Sequence, residues 1–237
     1  MVQAGDDLAQ LIGDALDSAE LTLRTGDVLV LAQKIVSKAE GRQVALADVT
    51  PSPAAFELAA RADKDPRLVE LMLSESSEIM RVRRGVIIVR HRLGLVLANA
   101  GIDHSNVDPP GTVLLLPRDP DASCAGLRAR LRERSGIDVA VVIIDSLGRA
   151  WRNGTVGTAI GASGIPGLLN LRGRPDLFGR PLQTSELGYA DEIAAAASLL
   201  MGQAGEGRPV VLLRGLSPIR DGSAAELIRD RALDLFP

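Results

Sequence analysis

Four stretches of the chain place charged and hydroxyl side chains directly after apolar runs, where they could hold a ligand. In "IIDSLGRAWRNG", residues 143–154, an apolar run ends in Asp145, and Ser146, Arg149 and Arg152 follow it. The ends of strands in an α/β sheet face the ligand crevice. An unpaired buried carboxylate is costly, so Asp145 needs a metal ion or an arginine as its partner. An Asp145–arginine ion pair is the structural alternative to a metal site.

The second stretch, "ANAGIDHSNV" at residues 98–107, offers three oxygen-bearing side chains within four positions, Asp103, Ser105 and Asn106. Hard cations such as Mg²⁺ and Mn²⁺ prefer carboxylate and carbonyl oxygens. This spacing therefore predicts a cation ligand at Asp103, while an Asx turn that closes a loop is the simpler alternative.

The third stretch, "LAQKIVSKAEGR" at residues 31–42, follows a predicted strand with Gln33, Lys34, Ser37 and Lys38. Lysines beside a hydroxyl at a strand end could hold phosphate oxygens. The glycines of a P-loop are absent from this stretch, so it is not a Walker A motif. The alternative is a solvated helix start.

The fourth stretch, "ADEIAAAASLLMGQAGEGRP" at residues 190–209, begins a helix with Asp191 and Glu192. Acidic residues there are explained by the helix dipole alone. The glycine-rich turn at its end could wrap a nucleotide, with Gln203 as the candidate contact, although such turns are common. Together the four stretches predict a metal–nucleoside triphosphate site without a P-loop.

Alternating strands and helices must position these residues. The predicted helices cover residues 6–19, 51–75 with a break at Pro66, 119–136 with a cap at Asp121 or Ser123 and a stop at Gly136, 189–203 and 224–236. The predicted strands cover residues 25–32, 85–101 as two strands, 112–117, 138–145 and 208–215. Residues 146–188 carry no clear period and are predicted to be a long irregular, functional segment. Interleaved elements predict an α/β or mixed α+β fold.

Composition excludes several classes of protein. Aromatic residues make up 2% of the 237 residues and the net charge is −3 without long blocks of one sign, so a nucleic-acid partner is not expected. The single cysteine, Cys124, fits a reducing compartment and is expected to be a buried apolar residue. Neither a membrane span nor a signal peptide is predicted, which favours the cytoplasm.

Five motifs, in order over about residues 6–220, resemble the coenzyme F420-0:L-glutamate ligase family: "QKIVSKAEGR", "HRLGLVLANAGIDHSNV", "LLPRDPDAS", "DSLGRAWRNG" and "ADEIAAAASLLMGQ". The resemblance implies GTP-dependent attachment of L-glutamate to the lactyl carboxylate of F420-0, then of a further γ-linked glutamate. It implies Mg²⁺ or Mn²⁺, with K⁺ as a further candidate ion. It also implies an intertwined α/β homodimer of single-domain chains, residues 1–237 with up to two subdomains, and no C-terminal nitroreductase-like domain.

The resemblance also implies roles for single residues. Asp103, Asp145 and Ser146 match the metal ligands, and Asp103, Asp145 and Arg149 are the expected catalytic residues, with Arg149 facing the anionic substrates. The expected nucleotide contacts are Gln33, Lys38, Asn106 and Gln203. In three places the chain departs from the family pattern. Ser146 stands where Thr is usual, and Gln33 stands where some members have Ser or Thr. Family members usually have an extended nucleotide-contacting loop before the position of Gly5. In this chain four residues precede Gly5.

Two other functions remain open at this point. A metal-dependent nucleotide phosphohydrolase, or a ligase that acts on another acid, would share the same metal site. A non-catalytic GTP-binding homologue would keep the fold without turnover. A phosphohydrolase would release GDP without needing both glutamate and F420-0, whereas the ligase would need both. A non-catalytic homologue would bind GTP without turnover.

Overall fold

The computed structural model describes residues 1–216 and 221–234 of the chain. The helices are α1 Leu8–Ser18, α2 Gln33–Ala39, α3 Pro53–Ala62, α4 Pro66–Ser74, α5 Pro120–Ser135 and α6 Tyr189–Met201. The strands are β1 Val28–Ala32, β2 Gln43–Ala45, β3 Ser76–Arg83, β4 Val86–His91, β5 Val96–Ala98, β6 Thr112–Leu114, β7 Ala140–Arg149, β8 Arg152–Ser163, β9 Leu168–Asn170, β10 Glu186–Gly188 and β11 Val210–Leu213. Short 3₁₀ turns cover Leu46–Asp48, Asn99–Gly101, Ala224–Leu227 and Arg231–Leu233. This is the mixed α/β class that the sequence predicts.

The chain divides into two compact units. The first unit comprises residues 1–6, 34–118 and 147–154, and the second comprises residues 7–33, 119–146 and 155–237. Among the residues that the structure describes, no helix is long and apolar enough to cross a membrane.

A four-stranded sheet in the order β11-β1-β7-β8 organises the second unit. β1 runs parallel to β7 and antiparallel to β11. Four of the five β1 residues are buried, which explains its unbroken apolar sequence, since strands covered on both faces do not alternate. The core beside this sheet includes Val30, Val142 and, from α6, Ile193 and Ala197. The predicted strands at residues 25–32, 138–145 and 208–215 are confirmed.

The irregular segment predicted at residues 146–188 is wrong over its first part. β7 continues to Arg149, and β8 then runs for 12 residues to Ser163. Asp145 therefore lies within a strand and not at its tip. Glycines hide the strand signal in β8: a Cβ on Gly157 would lie 2.5 Å from the carbonyl oxygen of Ala194 in α6. Close approach of the helix requires glycine where a strand-forming side chain would otherwise stand.

Two small sheets and the helices α2, α3 and α4 build the first unit, which holds all of α2 except Gln33. β3, β4 and β5 form an antiparallel sheet, and β2 pairs with β6. α3 and α4 each begin with a side-chain cap, from Ser52 and Asp65, followed by proline. Proline suits the first helical position because no intrahelical partner exists for its missing N–H. The two helices predicted on either side of the Pro66 break are confirmed, but β2 and β3 were not predicted.

A buried ionic cluster joins several of these elements. Glu75, at the end of α4, accepts a hydrogen bond from Arg92 at 3.0 Å, and its Oε2 lies 2.8 Å from Nη2 of Arg42 and 3.4 Å from Nε2 of the fully buried His91. Burial alone would raise the pKa of Glu75, but His91 and the two arginines outweigh it and lower that pKa to about 2. The Glu75 carboxyl is therefore ionised at neutral pH, and its contacts tie the end of α4 to β4.

Two further boundaries differ from the prediction. The N-cap of α5 is Asp119 and not Asp121 or Ser123, because Pro120 occupies the first helical position. The stop at Gly136, which has φ of 71°, is confirmed.

The helix predicted at 224–236 is wrong over its described residues, which form two 3₁₀ turns, the second capped by Asp230. Residues 235–236 of that prediction lie outside the described residues.

Candidate functional site

The Asp103 carboxylate is held by Lys34 and Ser105 within the first unit. Both main-chain hydrogen bonds of Asp103 go to Leu114, at 3.0 and 2.9 Å. Its Oδ2 lies 2.8 Å from Lys34 Nζ, and its Oδ1 accepts from the amide of Ser105 at 2.7 Å and from the Ser105 hydroxyl at 2.8 Å. The predicted Asx-type contact with Ser105 thus exists, and the same carboxylate faces a lysine from the third stretch.

The charge state of Asp103 follows from these contacts. Burial alone would raise the pKa of Asp103, but Lys34 and the two hydrogen bonds from Ser105 outweigh it and lower that pKa below 3.8. Lys34 also donates to the Ser105 hydroxyl at 2.6 Å. The result is an ionised, oriented carboxylate, which is the type of oxygen donor that Mg²⁺ and Mn²⁺ prefer, and its partner in this structure is Lys34.

Lys38 and Asn106 meet in the same unit. Lys38 Nζ donates to the carbonyl oxygen of Asn106 at 2.7 Å, and Lys38 is only 8% exposed. The alternative of a solvated helix start is wrong for this residue, because a solvated lysine would leave its ammonium group in water. Lys38 lies in α2, whose first residue Gln33 is 2% exposed. Two of the residues expected to contact the nucleotide are therefore adjacent.

A second pair of predicted residues meets in the second unit. The Ser146 hydroxyl donates to Oε1 of Gln203 at 2.5 Å, which links β7 to the glycine-rich turn after α6. Asp145, the residue before it, is half-buried, while Ser146 and Gln203 are exposed. The weakest of the four sequence signals, the glycine-rich turn, thus contacts one of the residues expected to bind metal.

Arg149 and Arg152 are both exposed, at the end of β7 and the start of β8. Trp151 between them is 89% exposed and has φ of +59°, a left-handed conformation that is uncommon for a bulky residue. Exposed guanidinium groups at this turn could meet an anionic substrate. The Asp145–arginine pair proposed from sequence stays an open alternative.

Asp191 does more than begin a helix. Its Oδ1 accepts from the amide of Ala159 in β8 at 2.9 Å, and burial raises its pKa above 3.8. The predicted helix-dipole position is confirmed, since Asp191 and Glu192 lie in the first turn of α6. The side chain also fastens an edge strand to that helix, a role that the spacing of residues does not reveal.

No cluster of three or more His, Cys, Asp or Glu side chains occurs among residues 1–216 and 221–234. A divalent cation bound by Asp103, or by Asp145 and Ser146, would complete its coordination with other oxygen ligands, such as phosphate oxygens and water. Mg²⁺ commonly binds in this manner, with one or two carboxylates, phosphate oxygens and water. The residues present fit such an ion in the company of a nucleotide.

Comparison with known proteins decides the family. A model of the family described as F420-0:Gamma-glutamyl ligase matches residues 1–215. The chain belongs to this family.

Members of the F420-0:gamma-glutamyl ligase family match over nearly their whole length. The protein named Coenzyme F420:L-glutamate ligase in Methanothermobacter thermautotrophicus is 48% identical over 239 residues, which cover 100% of this chain and 94% of that protein. The protein of the same name in Methanopyrus kandleri is 50% identical over 240 residues, 99% of this chain and 93% of that protein. The protein of the same name in Archaeoglobus fulgidus is 43% identical over 236 residues, which cover 100% of this chain and 92% of that protein. The resemblance seen in the five motifs is confirmed.

Proposed function

We propose that the chain is a GTP-dependent ligase that joins L-glutamate to coenzyme F420-0 and then adds further γ-linked glutamate, releasing GDP and phosphate. The observation that carries the proposal is identity of 48% or more to two proteins named Coenzyme F420:L-glutamate ligase, over 99% or more of this chain. The ionised Asp103 beside Lys34 supports it. Phosphoryl transfer needs positive charge held around the phosphates, and a lysine or a carboxylate-bound metal ion supplies such charge.

The chemistry proceeds through an acyl phosphate. A carboxylate is a poor acyl donor, since its oxygen is a poor leaving group. In the first step the carboxylate of F420-0 attacks the γ-phosphorus of GTP, and GDP leaves. The α-amine of glutamate then attacks the carbonyl carbon, loses a proton and expels phosphate. One GTP is consumed for each amide bond formed.

The chain's own cations have definite tasks in this scheme. Lys38, held by the carbonyl oxygen of Asn106, is a point charge for phosphate oxygens. Gln33 and Gln203 contribute amide groups for the nucleotide. Arg149 binds a substrate carboxylate, since both F420-0 and glutamate are anionic.

Asp103 in the first unit, and Asp145 with Ser146 in the second, would each offer side-chain oxygens to Mg²⁺ or Mn²⁺. A bound divalent cation neutralises charge on the phosphoryl oxygens. K⁺ is a further candidate ion. Lys34 holds the Asp103 carboxylate ionised and oriented, so that no proton has to leave it when the cation binds.

The proposal includes a homodimer. Large apolar side chains are exposed as two adjacent pairs in the single chain, Leu177 at 100% with Phe178 at 83%, and Leu199 at 85% with Leu200 at 56%. Contiguous exposed apolar groups mark interfaces in soluble proteins, although single ones do not. Light scattering at micromolar concentration should give twice the chain mass, and a monomer mass would remove the dimer from the proposal.

A direct test separates ligation from simple GTP hydrolysis. GDP release should require F420-0 and glutamate together, and should stay at background when either one is omitted. GDP release with GTP and Mn²⁺ alone would favour a phosphohydrolase. GTP binding measured by calorimetry without any turnover would favour a non-catalytic homologue.

A further inference from the structure

Three consecutive residues just before Asp103 adopt left-handed backbone conformations. The φ angles of Asn99, Ala100 and Gly101 are +52°, +54° and +65°. Residues other than glycine rarely adopt this region, and then normally as single residues. A run of three in which two carry a Cβ persists only where surrounding contacts hold it.

The side chain of Asn99 supplies one such contact. In the β4–β5 pairing, Ile88 faces Ala98 and Val89 faces Leu97, so the next position places Asn99 opposite Ile87. β5 ends at Ala98, and the side-chain oxygen of Asn99 accepts from the amide of Ile87 at 3.1 Å. The side chain thus extends the ladder by one bond, which frees the main chain of Asn99 to turn away from the sheet.

The rest of the turn leads directly to Asp103. The amide of Ile102 donates to the carbonyl of Asn99 at 3.1 Å, and Ile102 itself is buried. A Cβ on Gly101 would lie 2.8 Å from Leu116 Cδ1, so glycine is required there for space as well as for its φ. Asp103 then pairs with Leu114, so the segment from Asn99 to Asp103 is anchored by hydrogen bonds at both ends.

We propose that Asn99 is a positioning residue for the Asp103 carboxylate. By accepting the amide of Ile87, it holds the left-handed turn that sets the direction in which the chain enters Asp103. Asn is suited to this position because it tolerates left-handed backbone better than most residues and carries the acceptor that the ladder lacks. This inference rests on the proposed role of Asp103 as a metal ligand.

The test measures Mn²⁺ binding by the purified protein, without substrates, by calorimetry or by the loss of the free-ion paramagnetic resonance signal. Asn99→Gly keeps a backbone that accepts positive φ but removes the acceptor, and we expect it to weaken Mn²⁺ binding by about tenfold, as loss of an outer partner of a metal ligand does. Asn99→Asp keeps an acceptor oxygen and should bind within about threefold of the unmodified protein. Asp63→Gly is the matched control, since it removes the side chain of another left-handed residue of the same unit, and it should leave Mn²⁺ binding unchanged.

Asp103→Asn distinguishes the possible failures. If Asp103→Asn binds Mn²⁺ normally, the proposed metal site is wrong and the role of Asn99 falls with it. If Asp103→Asn loses binding while Asn99→Gly keeps it, only the positioning role is wrong. Binding is measured in the cold with circular dichroism as a check of the fold. A chain with Asn99→Gly that does not fold there would overturn the proposal, because Asn99 would then hold the whole unit and not Asp103 in particular.

Discussion

At the scale of single residues, two lysines among the candidate residues already have polar partners. Lys34 meets Asp103 at 2.8 Å, and Lys38 meets the Asn106 carbonyl at 2.7 Å. The two lysines lie four positions apart on α2, yet their partners differ: one is a carboxylate and the other a neutral carbonyl. Their removal should therefore have different consequences.

Lys38→Ala should raise the apparent KM for GTP or lower turnover by about tenfold, equivalent to about 1.4 kcal/mol, because it removes a charge proposed to face phosphate. The Mn²⁺ dependence at saturating GTP should stay the same. Lys34→Ala is the contrasting variant and should shift the Mn²⁺ dependence, since it leaves Asp103 without its counter-ion. Steady-state kinetics with each ligand varied in turn measures both. A change below about twofold for Lys38→Ala would exclude it from the nucleotide site.

At the scale of elements, sequence patterns predict what is uniformly apolar or clearly capped. β1 and the first half of β7 are unbroken apolar runs, and α3 and α4 begin with a cap and a proline. β3 was missed because none of its residues is buried and its exposed positions, Ser77, Met80, Arg81 and Arg83, do not alternate with apolar ones. β8 was missed because two of its glycines are required by elements distant in sequence, Gly157 by the close approach of α6 and Gly161 by that of Pro120 in α5. Patterns along the chain do not record such contacts.

Gly157→Ala tests the close packing of β8 on α6. The added Cβ would lie 2.5 Å from the Ala194 carbonyl oxygen and 2.6 Å from Ser198 Cβ, so strand or helix must shift. We expect a loss of about 1–3 kcal/mol in the free energy of unfolding, measured by urea denaturation. Gly126→Ala is the control: this exposed glycine in α5 has no atom within 4 Å of an added Cβ, and alanine there should stabilise the chain by about 1 kcal/mol. Equal effects of the two variants would contradict the packing described here.

Glu75→Gln tests the ionic cluster of the first unit. The pKa of Glu75 is lowered from 4.5 to about 2, so its ionised form contributes stability that is complete above pH 4.5 and is lost as pH falls towards 2. The variant should unfold more easily at pH 7, by on the order of 3 kcal/mol, because it leaves two arginines without their carboxylate. The difference from the unmodified protein should shrink between pH 4.5 and 2. Glu57→Gln, an exposed carboxyl of α3, is the control and should change little at either pH. A deficit that stays constant from pH 7 to pH 2 would mean that charge on Glu75 is not its cause.

At the scale of the whole molecule, the sequence predicted the family, whereas the contacts within each unit's candidate residues came only from the structure. Residue types alone indicated oxygen ligands, phosphate-binding cations and a glycine-rich turn, and five ordered motifs indicated the family that the comparisons confirm. The pairings within the site, such as Ser146 with Gln203, join residues 57 positions apart and depend on tertiary folding. Neither the Glu75 cluster nor the left-handed turn at Asn99 has a sequence period, so only the structure reveals them.

The central claim is that this chain forms an amide bond between F420-0 and glutamate. Mass spectrometry of F420-0 incubated with the protein, GTP, Mn²⁺ and L-glutamate tests it most directly, with Asp145→Asn as the matched inactive chain. We expect a product heavier than F420-0 by one glutamyl residue, and then a product heavier by two. Neither product should form with Asp145→Asn or without GTP. Unchanged F420-0 in the complete mixture, or equal product from Asp145→Asn, would contradict it.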